Sequence, residues 1–256
     1  MKKVCLMLAL TGVFVSSAAR ADLFSNIQLW AGTGTNEAGF EIDWNNGATN
    51  SALLWGYRWN GTATGEQMFD AIVATDPRLY AEVSGPTDYG TEVFGLGFHQ
   101  SGDQNFSLSP SLSFNSQHLA IVDAGSVEDS RAAVTSGDLW QEGWYTAGYW
   151  TYWNSTDSRV SANQSDWDSS YGGMTSRVLE NGDMDGWSFD YGFNWPASTP
   201  AAPSYVTAVP EPSAWALLGM GGLFMVCLQI NRRSNGLTGT TSPVVITRSS
   251  KGSAIL

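Results

Sequence analysis

Along most of the chain, apolar and polar positions alternate over short runs rich in β-branched and aromatic residues, with Gly, Asn, Asp and Ser between the runs. A period of two marks strands. It predicts strands over Phe40–Trp44, Leu53–Trp59, Tyr80–Val83, Val93–His99, Ser111–Phe114, Leu119–Val122, Gly148–Trp153, Ser176–Leu179 and Trp187–Phe193. Two stretches follow a helical period. Thr64 caps a run in which Met68, Phe69, Ile72 and Val73 line one face, and Pro77 stops it. Ser126 with Asp129 starts a shorter helical turn through Val134. The class is α+β: mostly antiparallel sheet with a helix packed on it.

The two ends follow neither period. Lys2 and Lys3 precede an apolar run from Val4 to Val15, and Ala19-Arg20-Ala21 then offers small residues where a signal peptidase reads. Residues 1–21 are therefore a signal peptide, with cleavage before Asp22. A spanning helix is the other reading, but the run is shorter than the roughly 20 residues a bilayer needs. The far end carries a second apolar stretch, Ala214 to Ile230, which is followed by Arg232-Arg233 and predicts a transmembrane helix held by a cytoplasmic basic edge. A soluble core helix of the same length is the alternative.

Directly before that stretch stands Val209-Pro210-Glu211-Pro212. The order Val-Pro-Glu-Pro, apolar helix with glycines, Arg-Arg resembles the PEP-CTERM sorting signal of Gram-negative bacteria, and the match covers residues 209–233. The resemblance implies recognition by an exosortase, processing near Pro210-Glu211-Pro212, and transfer from the inner membrane to the cell surface or extracellular matrix. Such signals normally end a chain soon after the arginines. Here residues 234–256 follow, rich in Ser, Thr and Gly, and their composition predicts a disordered tail.

Between these signals lies an ectodomain, 22–195, and then a proline-rich segment, 196–208, expected to be an extended spacer. The formal charge of −12 averages over unlike parts. From Asp22 to Ala208 there are 23 acidic residues against five arginines and no lysine, a net of −18. That excludes nucleic acid as a partner, because phosphate binding needs clustered Lys and Arg. It describes either a solvated acidic coat or a surface that attracts cations. Cys5 and Cys227 both fall outside the ectodomain, so it holds together without disulfides and has neither a thiol nucleophile nor a zinc thiolate site.

Eleven of the 12 tryptophans lie in the ectodomain, seven of them between Trp140 and Trp195. The strand Leu53–Trp59, the Asn60-Gly61-Thr62 turn and the helix after it form one unit. With Tyr149-Trp150-Thr151-Tyr152-Trp153, Trp167, Gly172 and Gly182–Trp187, they resemble the β-grasp module beside the main domain of cobalamin carriers. They also resemble Trp-rich secreted bacterial proteins of unknown role. The fold expected is β-grasp-like or a small sandwich. On a strand, Tyr149, Thr151 and Trp153 share one face, with Trp150 and Tyr152 on the other. Tyr149, Trp150, Tyr152 and Trp153 are thus candidates for stacking on the sugar rings of an extracellular polysaccharide, or for building the core.

Asn181, Asp183 and Asp185 alternate oxygen ligands around Gly182 and Gly186, a pattern suited to a calcium loop with Glu180 or Asp190 contributing. An EF-hand fails, since position twelve would be Gly192. The alternative is an acidic turn leading into Trp187. No other cofactor is indicated. Catalytic patterns are weak: His99 and His118 stand in no metalloprotease or nucleophile-elbow motif, and no P-loop is present. Asp166 with Asp168 is one of many chance carboxylate pairs. The expectation is a non-enzymatic, exported surface or matrix protein with a structural or adhesive role. The alternatives are a carbohydrate-binding module, a small-ligand or cofactor carrier, or a glycoside hydrolase.

Overall fold

The computed structural model describes residues 23–47, 51–88, 90–100, 106–156, 167–170, 172–193 and 196–208. All lie in the first of two units, Met1–Val209. The signal-cleavage residues Ala19, Ala21 and Asp22 lie outside them. So do Val209, Pro210, Glu211, Pro212, Arg232 and Arg233 of the sorting motif, the apolar stretch between, and the tail. Among the described residues no helix is long and apolar enough to cross a membrane.

A 3₁₀ turn at Leu23–Asn26 leads into β1 (Trp30–Gly32), β2 (Asn36–Asp43) and β3 (Ala52–Trp59), then α1 (Gly65–Thr75). Next come β4 (Leu79–Ser84), β5 (Val93–Phe98), β6 (Leu108–Ser109), β7 (Leu119–Val122), β8 (Ala132–Ala133) and β9 (Leu139–Glu142). The chain continues through β10 (Gly148–Ser155), β11 (Asp168–Ser169), α2 (Gly173–Ser176), β12 (Met184–Tyr191) and β13 (Ser204–Tyr205). The class is α+β, mostly strand. The larger sheet has the order β1-β3-β2-β12-β10-β11, with β13 also on β3. A second sheet is ordered β7-β4-β5-β9, and β6 pairs β8 separately. Among the described residues six of the ten pairings are antiparallel; β1 and β13 on β3, β12 on β2, and β7 on β4 run parallel.

α1 forms where its cap was expected. The Thr64 hydroxyl accepts from the Gln67 N–H at 3.2 Å, and the Gln67 amide oxygen accepts from the Thr64 N–H at 3.0 Å. This reciprocal pair satisfies two otherwise orphaned donors. Met68, Phe69, Ile72 and Val73 are all buried, and the helix ends at Asp76, before Pro77. One core takes α1, residues of both sheets, and Trp44, Trp55, Trp150 and Trp187. A bulge between Glu82 and Val83 shifts the β4–β5 register, so that Val93, Leu96 and Phe98 all reach that core. The opposite face of the larger sheet carries a smaller cluster: Phe24, Ile27, Leu54, Trp153, Trp167, Met184 and Ala197.

Several expectations fail for identifiable reasons. Ser111–Phe114 is not a strand. Phe114 instead packs edge-on against Tyr80 at 5.1 Å within an aromatic cluster that includes Phe106 and Trp140. Ser176–Leu179 is the end of α2 followed by a lone bridge, Val178 to Thr64. Ser126 to Val134 does not form a helix. Ala124–Ser126 is a 3₁₀ turn and Ala132–Ala133 is β8, because Asp129 turns with φ of 54° and spends its carboxylate elsewhere. Residues 196–208 are extended but do not form a free spacer. Ala197 and Val206 are buried, the Ala201 N–H donates to Asp43 at 2.9 Å, and Ser204–Tyr205 pairs with Leu53–Leu54. Arg78 then holds the Thr207 carbonyl at 2.9 Å. The segment is a strap on the sheet.

Candidate functional site

The aromatic strand β10 alternates as its period requires. Trp150 and Tyr152 enter the main core, while Trp153 enters the cluster on the other face with Tyr149 packed against it. Trp150, Tyr152 and Trp153 are only 6–7% exposed, so they do not form a row of open rings. Their faces are spent on neighbours: Trp150 lies 5.3 Å from Phe189, and Tyr152 lies 4.8 Å from Trp187. Tyr149 is half-buried and stacks on Phe193 at 5.4 Å. Of the two readings given for this set, Trp150, Tyr152 and Trp153 thus serve the core.

What these residues build is a cleft. β12 covers one edge of β10, but β11 pairs only with Trp153 and Asn154 on the other. The Ser170 N–H donates to the Tyr152 carbonyl at 3.0 Å, which puts the peptide groups of Trp150 and Tyr152 on that second edge. Along it runs a cleft of about 340 Å³, lined by Thr91, Glu92, Trp144, Trp150, Tyr152 and Trp187, with Ser169, Ser170 and Gly173 at its side. That volume lies at the small end of ligand sites. Trp187 is 5% exposed, and its indole N–H has no hydrogen-bond partner among the described residues. The Trp150 indole, by contrast, donates to the Gln141 carbonyl at 3.2 Å.

Two carboxylates hold the walls. Asp129 receives the backbone N–H groups of Trp144 at 2.6 Å, Tyr145 at 2.8 Å and Ala147 at 3.3 Å, and also that of Thr146. Burial works against its charge, but these donors outweigh it and lower its pKa. Trp144, packed edge-on against Phe94 at 4.9 Å, is fixed by that turn. Tyr152 is fixed from behind, where its hydroxyl donates to Asp185.

The acidic turn does converge its oxygens, but on a guanidinium. Arg177 Nε donates to Asp185 at 3.2 Å, and Arg177 Nη2 pairs with Asp183 at 2.8 Å. Asp183 also accepts the Glu180 N–H at 2.8 Å, and Asn181 accepts the Glu37 N–H at 2.9 Å. Asp183 and Asp185 of the expected calcium loop thus turn their oxygens to Arg177, and Asn181 turns its own to the Glu37 N–H. Among the described residues no cluster of three or more His, Cys, Asp or Glu is placed to hold a metal ion. Burial pushes the Asp185 carboxyl up to about 6 despite Tyr152 and Arg177. Gly65, at the start of α1, closes over this network: a Cβ there would come within 2.6 Å of the Tyr152 oxygen and 2.8 Å of Asp185.

Buried acids recur elsewhere. Glu82 and Glu142 share Arg131 at 3.0 and 2.5 Å. Burial, then Glu142, drives Glu82 up to about 7. Glu41 is fully buried with neither oxygen hydrogen-bonded among the described residues, and burial and Asp43 hold its pKa well above the ordinary value. His99 faces Asp138 at 2.7 Å, His118 stacks on Tyr80 at 4.8 Å, and Asp166 lies outside the described residues. Sequence reasoning missed Glu82, Arg131 and Glu142 as a group; only the inward period of β4 and β9 hinted at it.

Comparison of the chain with protein-family models, with curated proteins and with solved structures finds no match.

Proposed function

We propose that this chain is an exported, exosortase-sorted protein of the cell surface or extracellular matrix. Its domain is a non-enzymatic adhesive module that takes a saccharide in the cleft along β10. The export half of this reading rests on Ala19-Arg20-Ala21, Val209–Pro212 and Arg232-Arg233, with signal peptidase and exosortase as partners and the apolar stretch as a transient transmembrane helix. The adhesive half is carried by one observation: an open cleft walled by Trp144, Trp150, Tyr152 and Trp187, with Thr91, Glu92, Ser169 and Ser170 in its lining. Aromatic walls with a few polar groups suit a sugar, which has apolar faces and hydroxyl edges.

In fold terms the domain is read as a small sandwich rather than a β-grasp. β4 leaves α1 for a second sheet instead of rejoining β2 and β3. A glycosidase reading loses ground because the buried pair Glu82 and Glu142 is held by one shared arginine. Affinity electrophoresis of the chain recovered from cells, through gels containing exopolysaccharide, tests the adhesive half. Retardation that Trp144→Ala abolishes supports it. Equal migration with and without polysaccharide contradicts it.

A further inference from the structure

We infer that the β10 cleft selects a sugar carrying a free, protonated amine, an inference that rests on the saccharide reading above. The positive charge of this domain is committed to a few acids. Among the described residues Arg58 pairs with Glu37 at 3.0 Å and Arg78 with Asp76 at 2.8 Å. Arg131 serves Glu82 and Glu142, and Arg177 serves Asp183 and Asp185. The ectodomain has no lysine to add. Every arginine described is thus committed away from the cleft.

Glu92 lines the cleft and is half-buried, yet its carboxylate has no cationic partner among the described residues. Only its backbone is engaged, with its N–H donating to the Ser84 hydroxyl at 2.8 Å and its carbonyl receiving the Ser84 N–H, also at 2.8 Å. Beside it the Thr91 hydroxyl is already turned to Glu66. The cleft therefore presents one carboxylate without a cationic partner, in a lining where Trp144 is the half-buried indole. The face of such an indole attracts a cation through the ring quadrupole. An ammonium on a sugar ring satisfies both features together. A uronic acid meets the same carboxylate, with no arginine to offset it, and is repelled.

The test is tryptophan-fluorescence titration of the full chain with three probes: glucosamine oligomers, their N-acetylated counterparts, and uronic acid oligomers. The expected result is that the free-amine oligomer binds at least about tenfold more tightly than the acetylated one, and that added salt narrows the gap. The uronic acid oligomer should be the weakest of the three. Glu92→Gln should bring the amine and acetyl affinities within about threefold of each other. The residue is half-buried and makes no side-chain bond that folding needs, and an unchanged melting temperature checks this. Equal affinity for amine and acetyl forms, or preference for the uronic acid, overturns the amine inference while leaving a saccharide site. No response to any probe overturns both.

Discussion

The Tyr152 hydroxyl donates to the Asp185 carboxylate, 33 positions further along the chain. That single bond joins the aromatic strand to the acidic turn. The acid needed to orient a tyrosine in the cleft wall is itself oriented by Arg177, so the three residues act as one unit.

Removing members of that unit should have unequal costs. Asp185→Ala takes one of two carboxylates from Arg177, leaving Asp183, and deprives the Tyr152 hydroxyl of its acceptor, and it should destabilise the domain by about 2–4 kcal/mol. Tyr152→Phe leaves one acceptor short and should cost about 1–3 kcal/mol. Urea denaturation of both variants and of the double variant checks this. A double variant no worse than Asp185→Ala is expected, because the two side chains share the interaction.

Stability should fall as pH rises toward neutrality. Glu82, driven up to about 7 from 4.5, and Asp185, driven up to about 6 from 3.8, both hold a proton more tightly when folded. Their contribution is complete below the ordinary values and is lost as pH climbs through 6 and 7. Glu41 acts in the same direction. Asp129 has the opposite sign, stabilising above its ordinary 3.8 and losing that contribution in stronger acid. Thermal melts should therefore peak near about pH 4.5 and decline toward about pH 8. Glu82→Gln should flatten the upper part of the decline.

The turn holding Trp144 should depend on Asp129. Asp129→Ala orphans four backbone donors between Trp144 and Ala147 and should free the Trp144 ring. Steady-state fluorescence should shift to the red as that indole meets water, and ligand binding should weaken. An unchanged spectrum would show that Phe94 alone fixes the ring.

The strap should come away as a local unit. Val206 is 3% exposed, so Val206→Asp buries a charge and should release β13 from β3. Hydrogen exchange should rise at Tyr205 and Val206 but not at the α1 amides that bond back to Thr64 and Ile72. Equal loss of protection throughout would mean that the strap belongs to the cooperative core.

Much of the frame was legible in the sequence because it depends on local chemistry. The Thr64–Gln67 box and Pro77 bound α1, and the alternation in β2, β3, β10 and β12 sorts their side chains correctly between two faces. What was not legible depends on partners distant in sequence. The proline-rich strap looks like a spacer until Asp43 supplies an acceptor for Ala201. Asp129 looks like a helix start until residues 144–147 present four donors to it. The tryptophans could not be divided into core and cleft, because that division turns on which edge of β10 is left unpaired. Small neighbours matter too: a Cβ at Gly95 would come within 2.6 Å of the Trp140 ring, so this glycine makes the bed on which that indole lies. Arg177, six positions before Asp183, was the one sign in the sequence that the acidic turn already had its cation.

We propose that the signals at its two ends deliver the folded domain outside the cell. Intact-mass analysis of the protein recovered from the surface or matrix tests it most directly. The expected species begins at Asp22 and ends within Val209–Pro212, with residues 213–256 gone. A chain recovered with Leu256 still in place, or with Met1 still attached, would contradict it.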